Sequence, residues 1–391
     1  MRWWTAVLVS ASAGCYSPHP APGSPCDPGV CPTGLVCDPL THTCQEHAGE
    51  VVDASPADTG AGWLAGYSHR KALTISSPSP TALAGFPVSL VVAADADLAR
   101  FAHGGDIVAT GGDGTTLLPF ELVAFDAGSG ALEAWFAIDV MPAPAATPAY
   151  LYFDGPAQPP ATTSPWTGYA GVWHLAGANP ATDSAHGHDG SSPVAGQAPA
   201  AGAGVAGGAL VFDGLDDTIL VPDPADGSLD FGVASFSYSL WVLVAASAGM
   251  FDSPLYKGGA SIPDVGYDYE LGTGSWTTHT SDGTVTNNPP FGLDTDFLGA
   301  WTQLAVVVDR DAKKIRSYAN GALASEKDFV SGSLDNARAL AFSRIPSDPF
   351  KGSLDEVQII PAALATDWIA ASYANITARP QFVALGPLET R

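Results

Sequence analysis

The chain has 391 residues, with 15 Lys and Arg against 40 Asp and Glu, a formal net charge of −25. Charged residues make up only 14% of it, against roughly 25% in ordinary globular proteins. Glycine (43), proline (33) and aspartate (32 of the 40 acids) dominate the polar positions, which excludes a helix bundle or coiled coil. The acid excess excludes nucleic acid as a partner, because counterion displacement needs a basic face. A hydrophobic share of 46% and 37 aromatic side chains exclude wholesale disorder. What remains is an all-β protein long enough for two domains.

The N-terminus carries Arg2 and then an uncharged run from Trp3 to Gly14 that ends in small residues. Twelve residues are too few for a bilayer, which needs about 20 in a helix, so residues 1–14 read as an export signal. Ala11-Ser12-Ala13 fits ordinary signal peptidase, whereas Ala13-Gly14-Cys15 resembles the lipobox of bacterial lipoproteins, with Ser12 where that family prefers Leu. Cysteine arithmetic favours the second: four of the five cysteines cluster and Cys15 is left over for lipidation. A tether (15–25) leads to the cluster Cys26, Cys31, Cys37 and Cys44, spaced C-x4-C-x5-C-x6-C. No C-x2-C pair invites zinc, and a module this short (26–44) calls for two disulfides, with three pairings open. The chain is expected outside the cell: an outer-membrane or surface lipoprotein, or secreted or periplasmic if Cys15 is not lipidated. The lipid anchor would be its only membrane attachment.

Residues 45–62 are small, polar and acidic and read as a linker. From 63 to 157 come short β patterns, among them KALTIS (71–76), FPVSLVV (86–92) and AYLYFDG (149–155). In LEAWFAIDV (132–140), Leu132, Ala134, Phe136 and Ile138 share one face and Glu133, Trp135, Ala137 and Asp139 the other, the pattern of a half-buried strand. With Trp63, Gly66-Tyr67, Arg70, GGDIVAT (104–110) and LLPFELVAF (117–125), this segment resembles a bacterial domain family of unknown function that usually precedes laminin-G-like modules. A second linker (158–165) is proline-rich.

Residues 166–388 run almost wholly in β patterns. Asn320-Gly321 joins KIRSYAN to ALASEK as a type I′ hairpin, because both turn positions need positive φ. Only 363–375 reads as a helix, with Thr366 as N-cap and Trp368, Ser372 and Asn375 on one face. The run 191–206 reads as a flexible loop. The strings GVWHLAG (171–177), DSAHGHDG (183–190), GGALVFDGLDDTILVPD (207–223), WTQLAVVVD (301–309) and GSLDEVQI (352–359) resemble the laminin-G-like, concanavalin A-type jelly roll. That resemblance implies two antiparallel sheets which bind carbohydrate, protein or other surface ligands at one rim, often with Ca²⁺.

Candidate sites follow from the residues. As a strand, GSLDEVQII puts Asp355, Val357 and Ile359 on one face. If that face is the core, Asp355 needs a partner, which Ca²⁺ or the backbone amides of a nearby loop would supply equally well. Asp183, Asp213, Asp216 and Asp217 lie in turns at strand ends, as further calcium ligands or as turn caps. His186 and His188 resemble a metal string only superficially and read as a polar turn. Tyr267, Tyr269, Trp276 and Phe291 lie along the polar stretch 264–297 and are the candidate ligand-binding aromatics, for stacking against sugar. The glucanase triplet E-x-D-x-x-E, the G-x-S-x-G elbow and H-E-x-x-H do not occur. The expectation is a non-catalytic envelope or surface protein that binds carbohydrate or a cell-surface protein. A glycan hydrolase using loop carboxylates and a structural envelope component are the competing readings.

Overall fold

A computed structural model describes residues 36–38, 43–45, 61–143, 145–156, 163–245, 251–258, 264–272 and 274–391. Cys15, Cys26, Cys31, the signal segment, the tether and most of both linkers lie outside the described residues. Val36–Asp38 and Thr43–Gln45 pair antiparallel with Cys37 opposite Cys44. They belong to a separate unit from Ala61–Arg391.

Within that larger unit, two β-sandwiches follow one another. The first faces a four-stranded sheet (Val383–Thr390, His69–Ile75, Thr147–Phe153, Val108–Gly111) against a three-stranded one (Leu83–Val92, Ala131–Met141, Phe120–Asp126). Alternating residues of both sheets, such as Leu73, Leu151, Phe153, Val88 and Phe136, meet in its core. Each such side chain contributes about 1.5–3 kcal/mol by leaving water. A short helix, Ala96–Phe101, starts at Asp95, whose carboxylate accepts from the amides of Asp97 and Leu98.

The second sandwich is a two-sheet jelly roll. One sheet runs Ala200–Ala203, Gly208–Asp213, Lys351–Ile360, Phe236–Val244, Trp301–Asp309, Lys314–Ala319, Ala322–Asp328, with Gly171–Trp173 added beside Lys351–Ile360. The other includes Ile219–Val221, Leu340–Phe342, Leu255–Gly258, Val265–Gly272 and Ser275–Asp282. Asn320 (φ 51°) and Gly321 (φ 77°) form the hairpin turn with both residues left-handed, as the sequence demands.

Four local expectations change. Residues 200–203 of the expected loop are an edge strand. The stretch 272–297, a loop by its sequence, carries the strands Ser275–Asp282, Thr286–Asn287 and Pro290–Gly292. The helix spans Thr366–Thr377 with Ala365, not Thr366, at the N-cap and without a side-chain cap bond. The jelly roll does not run to 388: after the helix, Val383–Thr390 returns to pair with His69–Ile75 of the first sandwich.

The largest difference concerns Ala131–Met141. Residues 132–138 of this strand are buried on both faces. The face with Leu132, Ala134, Phe136 and Ile138 enters the first core, and Trp135 of the opposite face packs with Trp166, Tyr169, Val172 and Trp241. A second domain covers the face that alternation alone assigns to solvent.

Candidate functional site

Covering that face creates a polar centre between the sandwiches. Glu133, beside Trp135, points into the same seam. From the jelly roll comes Lys351–Ile360, where the pairing register with Phe236–Val244 slips between Ser239 and Trp241. The extra residue is a bulge at Glu356, with φ 49°, a left-handed conformation costly for a non-glycine residue. The bulge resets the alternation. Leu354, Val357 and Ile359 enter the jelly-roll core, so Asp355 does not share their face as simple alternation implies, and Asp355 and Glu356 turn to the seam.

Gly171–Trp173 pairs with the same strand, Trp173 opposite Val357, which brings His174 beside Glu356. His174 Nδ1 lies 2.8 Å from Glu356 Oε1 and Nε2 lies 3.4 Å from Glu121 Oε2. Glu121 is itself held, by the Ser184 hydroxyl at 2.6 Å and by the Trp166 indole N–H. Arg379, from the turn Arg379–Phe382, donates to the Val205 carbonyl. Asp355 Oδ2 accepts from the amides of Val205 (2.7 Å) and Ala206 (2.9 Å), the loop-amide option of the sequence reading. The loop approaches this closely because Gly207 has φ 97° and no side chain: a Cβ there would lie 1.8 Å from Glu133 Oε2.

The electrostatics reflect burial among like charges. Burial, then the Glu356 charge, pushes Glu133 up to about 8. The same two causes push Asp355 well above the carboxylate range. Burial pulls His174 down, but Glu356 and Glu121 outweigh it and raise the imidazole well above its ordinary value. Burial raises Glu121, yet the His174 hydrogen bond and charge leave it below the usual range. Glu133 Oε1 and Asp355 Oδ1 are buried with no hydrogen-bond partner.

A hollow reaches this centre, and a cleft adjoins that hollow through shared loop residues. The hollow, of about 270 Å³, is lined by Glu121, His174, Asn179 and Ser184 among others. The cleft, open and of about 540 Å³, shares Ala178, Asn179, Pro180 and Thr182 with it and adds Ala181, Asp189, Ser191, Ser192, Leu210 and Ile219 among others.

The predicted site residues fall elsewhere. Tyr267, Tyr269, Trp276 and Phe291 are at most 4% exposed and lie in the jelly-roll core, so they are not surface ligand residues. The polar stretch that carries them forms strands whose inward positions they occupy, and the Tyr269 hydroxyl donates to the Tyr238 carbonyl. Asp183 is buried and accepts from the amides of Val172, Ala185, His186 and His188. Asp213 and Asp216 gather with Asp217, their ligand atoms within 4.8 Å of one another. That group includes neither Asp355 nor Asp183. His186 and His188 lie in the turn that Asp183 ties, with rings stacked 5.5 Å apart.

Sequence reasoning did not single out Glu121, Glu133, His174, Glu356 or Arg379. The first three carried a signal: each is a lone ionisable residue flanked by apolar ones, in Phe120-Glu121-Leu122, Leu132-Glu133-Ala134 and Trp173-His174-Leu175. Such a residue in a buried strand needs a partner from elsewhere.

Residues 213–370 match the family model of the concanavalin A-like lectin/glucanases superfamily, and the jelly roll is of that type. Comparison with curated protein sequences gave no match. Similar solved structures include the binding domain of Paraclostridial Mosquitocidal Protein 1 (14% identity, TM-score 0.46, 53% of this chain and 52% of that one). Another is the binding domain of botulinum neurotoxin serotype G (13%, 0.44, 52% and 50%). A third is domain 4 of AbnA, an extracellular arabinanase of Geobacillus stearothermophilus, in complex with arabinotriose (20%, 0.36, 52% and 96%). The chain spans about half the length of the two toxin domains.

Proposed function

We propose that the protein is a non-catalytic binding protein of the cell envelope or surface, exported and lipid-anchored at Cys15, which recognises carbohydrate through the rim cleft of its jelly roll. The observation that carries this reading is the makeup of the 540 Å³ cleft. Asn179, Thr182, Asp189 and Ser191 are exposed there beside half-buried Pro180, over a floor of buried Leu210 and Ile219. Amide, hydroxyl and carboxylate groups converging beside a proline ring over an apolar floor suit a sugar, which offers hydroxyls at its edge and C–H groups on its faces. The family match of residues 213–370 supports the same ligand class. The buried carboxylates of the seam support a non-catalytic reading, since Glu133 and Glu356 are 4% and 2% exposed. The amide bonds of Asp355 favour a capping role there over calcium.

A glycan array probed with the full chain, with Ca²⁺ and with a chelator, tests this. Binding to a defined polysaccharide class, weakened about tenfold or more by Asn179→Ala with Ser191→Ala, is the expected result. No binding to any glycan in either condition would remove the proposal. Release of reducing ends from a bound polymer would move the protein to the hydrolases.

A further inference from the structure

The seam cluster has the composition of a metal centre. One ligand atom each from Glu133, His174 and Glu356 lies within 4.8 Å of the other two, all three side chains being buried. Three such atoms always leave a point within about 2.8 Å of each, so shifts of under about 1 Å reach the 2.0–2.2 Å typical of zinc. Buried carboxylate oxygens without partners point to a missing positive charge. Glu133 Oε1 and Asp355 Oδ1 are unpartnered, on side chains 4% and 0% exposed.

The surroundings have the matching arrangement. A metal-binding histidine usually gives its second ring N–H to a carboxylate, which fixes the tautomer and strengthens the ligand. Here Nε2 faces Glu121, leaving Nδ1 toward Glu356. Glu121 is steadied by Ser184 and Trp166. The 270 Å³ hollow reaches His174 and Glu121 and provides an entry path.

We propose that Glu133, the Nδ1 atom of His174 and Glu356 bind a divalent first-row transition metal, Zn²⁺ by preference, and that this ion ties the two sandwiches together, with Glu121 as the positioning residue. An imidazole with two carboxylates suits zinc; calcium prefers six to eight oxygens. The Asp213–Asp216–Asp217 group is distinct, all-oxygen and partly exposed.

The test uses the full chain, stripped with chelator and dialysed against Zn²⁺ in excess Ca²⁺, which occupies oxygen-only sites. One zinc per chain by elemental analysis and a rise of several degrees in Tm are expected, because a ligand of the folded state stabilises it. Co²⁺ in its place should give the visible absorption of a four- or five-coordinate mixed N/O site. Glu133→Gln should abolish these signals, and Glu121→Gln should weaken zinc about 10–100-fold. If Glu133→Gln disturbs folding, as its metal-free unfolding curve will report, Glu356→Gln serves instead. No stoichiometric zinc, zinc binding unaltered in both variants, or a Tm indifferent to zinc would overturn the proposal; the last is the outcome for a cluster neutralised by protons alone.

Discussion

Asp183 illustrates how one carboxylate can organise a loop through backbone amides. Its two oxygens accept four amides: Oδ1 from Val172 (2.8 Å) and Ala185 (2.9 Å), Oδ2 from His186 and His188 (both 3.0 Å). Val172 is fully buried, so its amide has no water to turn to if the carboxylate is removed. The other three are nearer solvent and recover part of their loss. Asp183→Ala should therefore cost about 3 kcal/mol, mostly the unmet Val172 amide and the charge-assisted bonds. A shift in the urea midpoint with unchanged slope would record it, and a loss below about 1 kcal/mol would refute the account. The loop so held carries Asp189 into the rim cleft, so the same substitution should also weaken any ligand bound there.

At the scale of elements, the helix Thr366–Thr377 fills the angle between the sandwiches. Trp368 packs edge-on against Phe86 of the first (5.0 Å between centroids), and Tyr373 stacks on Trp241 of the second (5.6 Å). Buried Asn375 accepts from the Ser89 amide (3.1 Å) and donates to the Pro87 carbonyl (3.0 Å), closing the free edge of Leu83–Val92. Asn375→Ala leaves both backbone groups unmet in a dry seam and should cost about 2–4 kcal/mol. Loss of amide exchange protection should centre on residues 87–89; unchanged protection there would contradict this docking role. The helix face carrying Trp368, Ser372 and Asn375 was legible in the sequence, as were the Asn-Gly hairpin and the Leu132–Ile138 core face. The bulge at Glu356 was not, since a one-residue slip leaves no mark on composition or period. The covered face of Glu133 and Trp135 was equally invisible, because alternation reports which residues share a face but not what lies over it. The aromatics of 264–297 misled for a related reason: their polar neighbours mark outward strand positions as readily as a loop.

For the whole molecule, the last strand returns to the first sandwich. Val383–Thr390 supplies the edge of the first sheet after the jelly roll is complete, so the first sandwich lacks a strand until the entire second domain has been traversed. Phe382 and Val383 are buried in the first core. Glu389 meets the Arg70 Nε at 2.7 Å, while the same guanidinium bonds the Gly62 carbonyl and the Tyr152 hydroxyl and lies 3.9 Å over the Tyr150 ring. Arg70 is only 6% exposed, and losing Glu389 would leave a buried charge without its counterion, a penalty of several kcal/mol. Two consequences follow for a chain ending at Gln381. The first sandwich should lose more stability than the jelly roll, whose own strands and core remain intact. Calorimetry of the full chain should give one transition, because the shared strand, helix and seam couple the sandwiches, whereas the shortened chain should give two, the lower one belonging to residues 61–156. A single unshifted transition in the shortened chain would show that the returning strand is an ornament on a sandwich already complete without it.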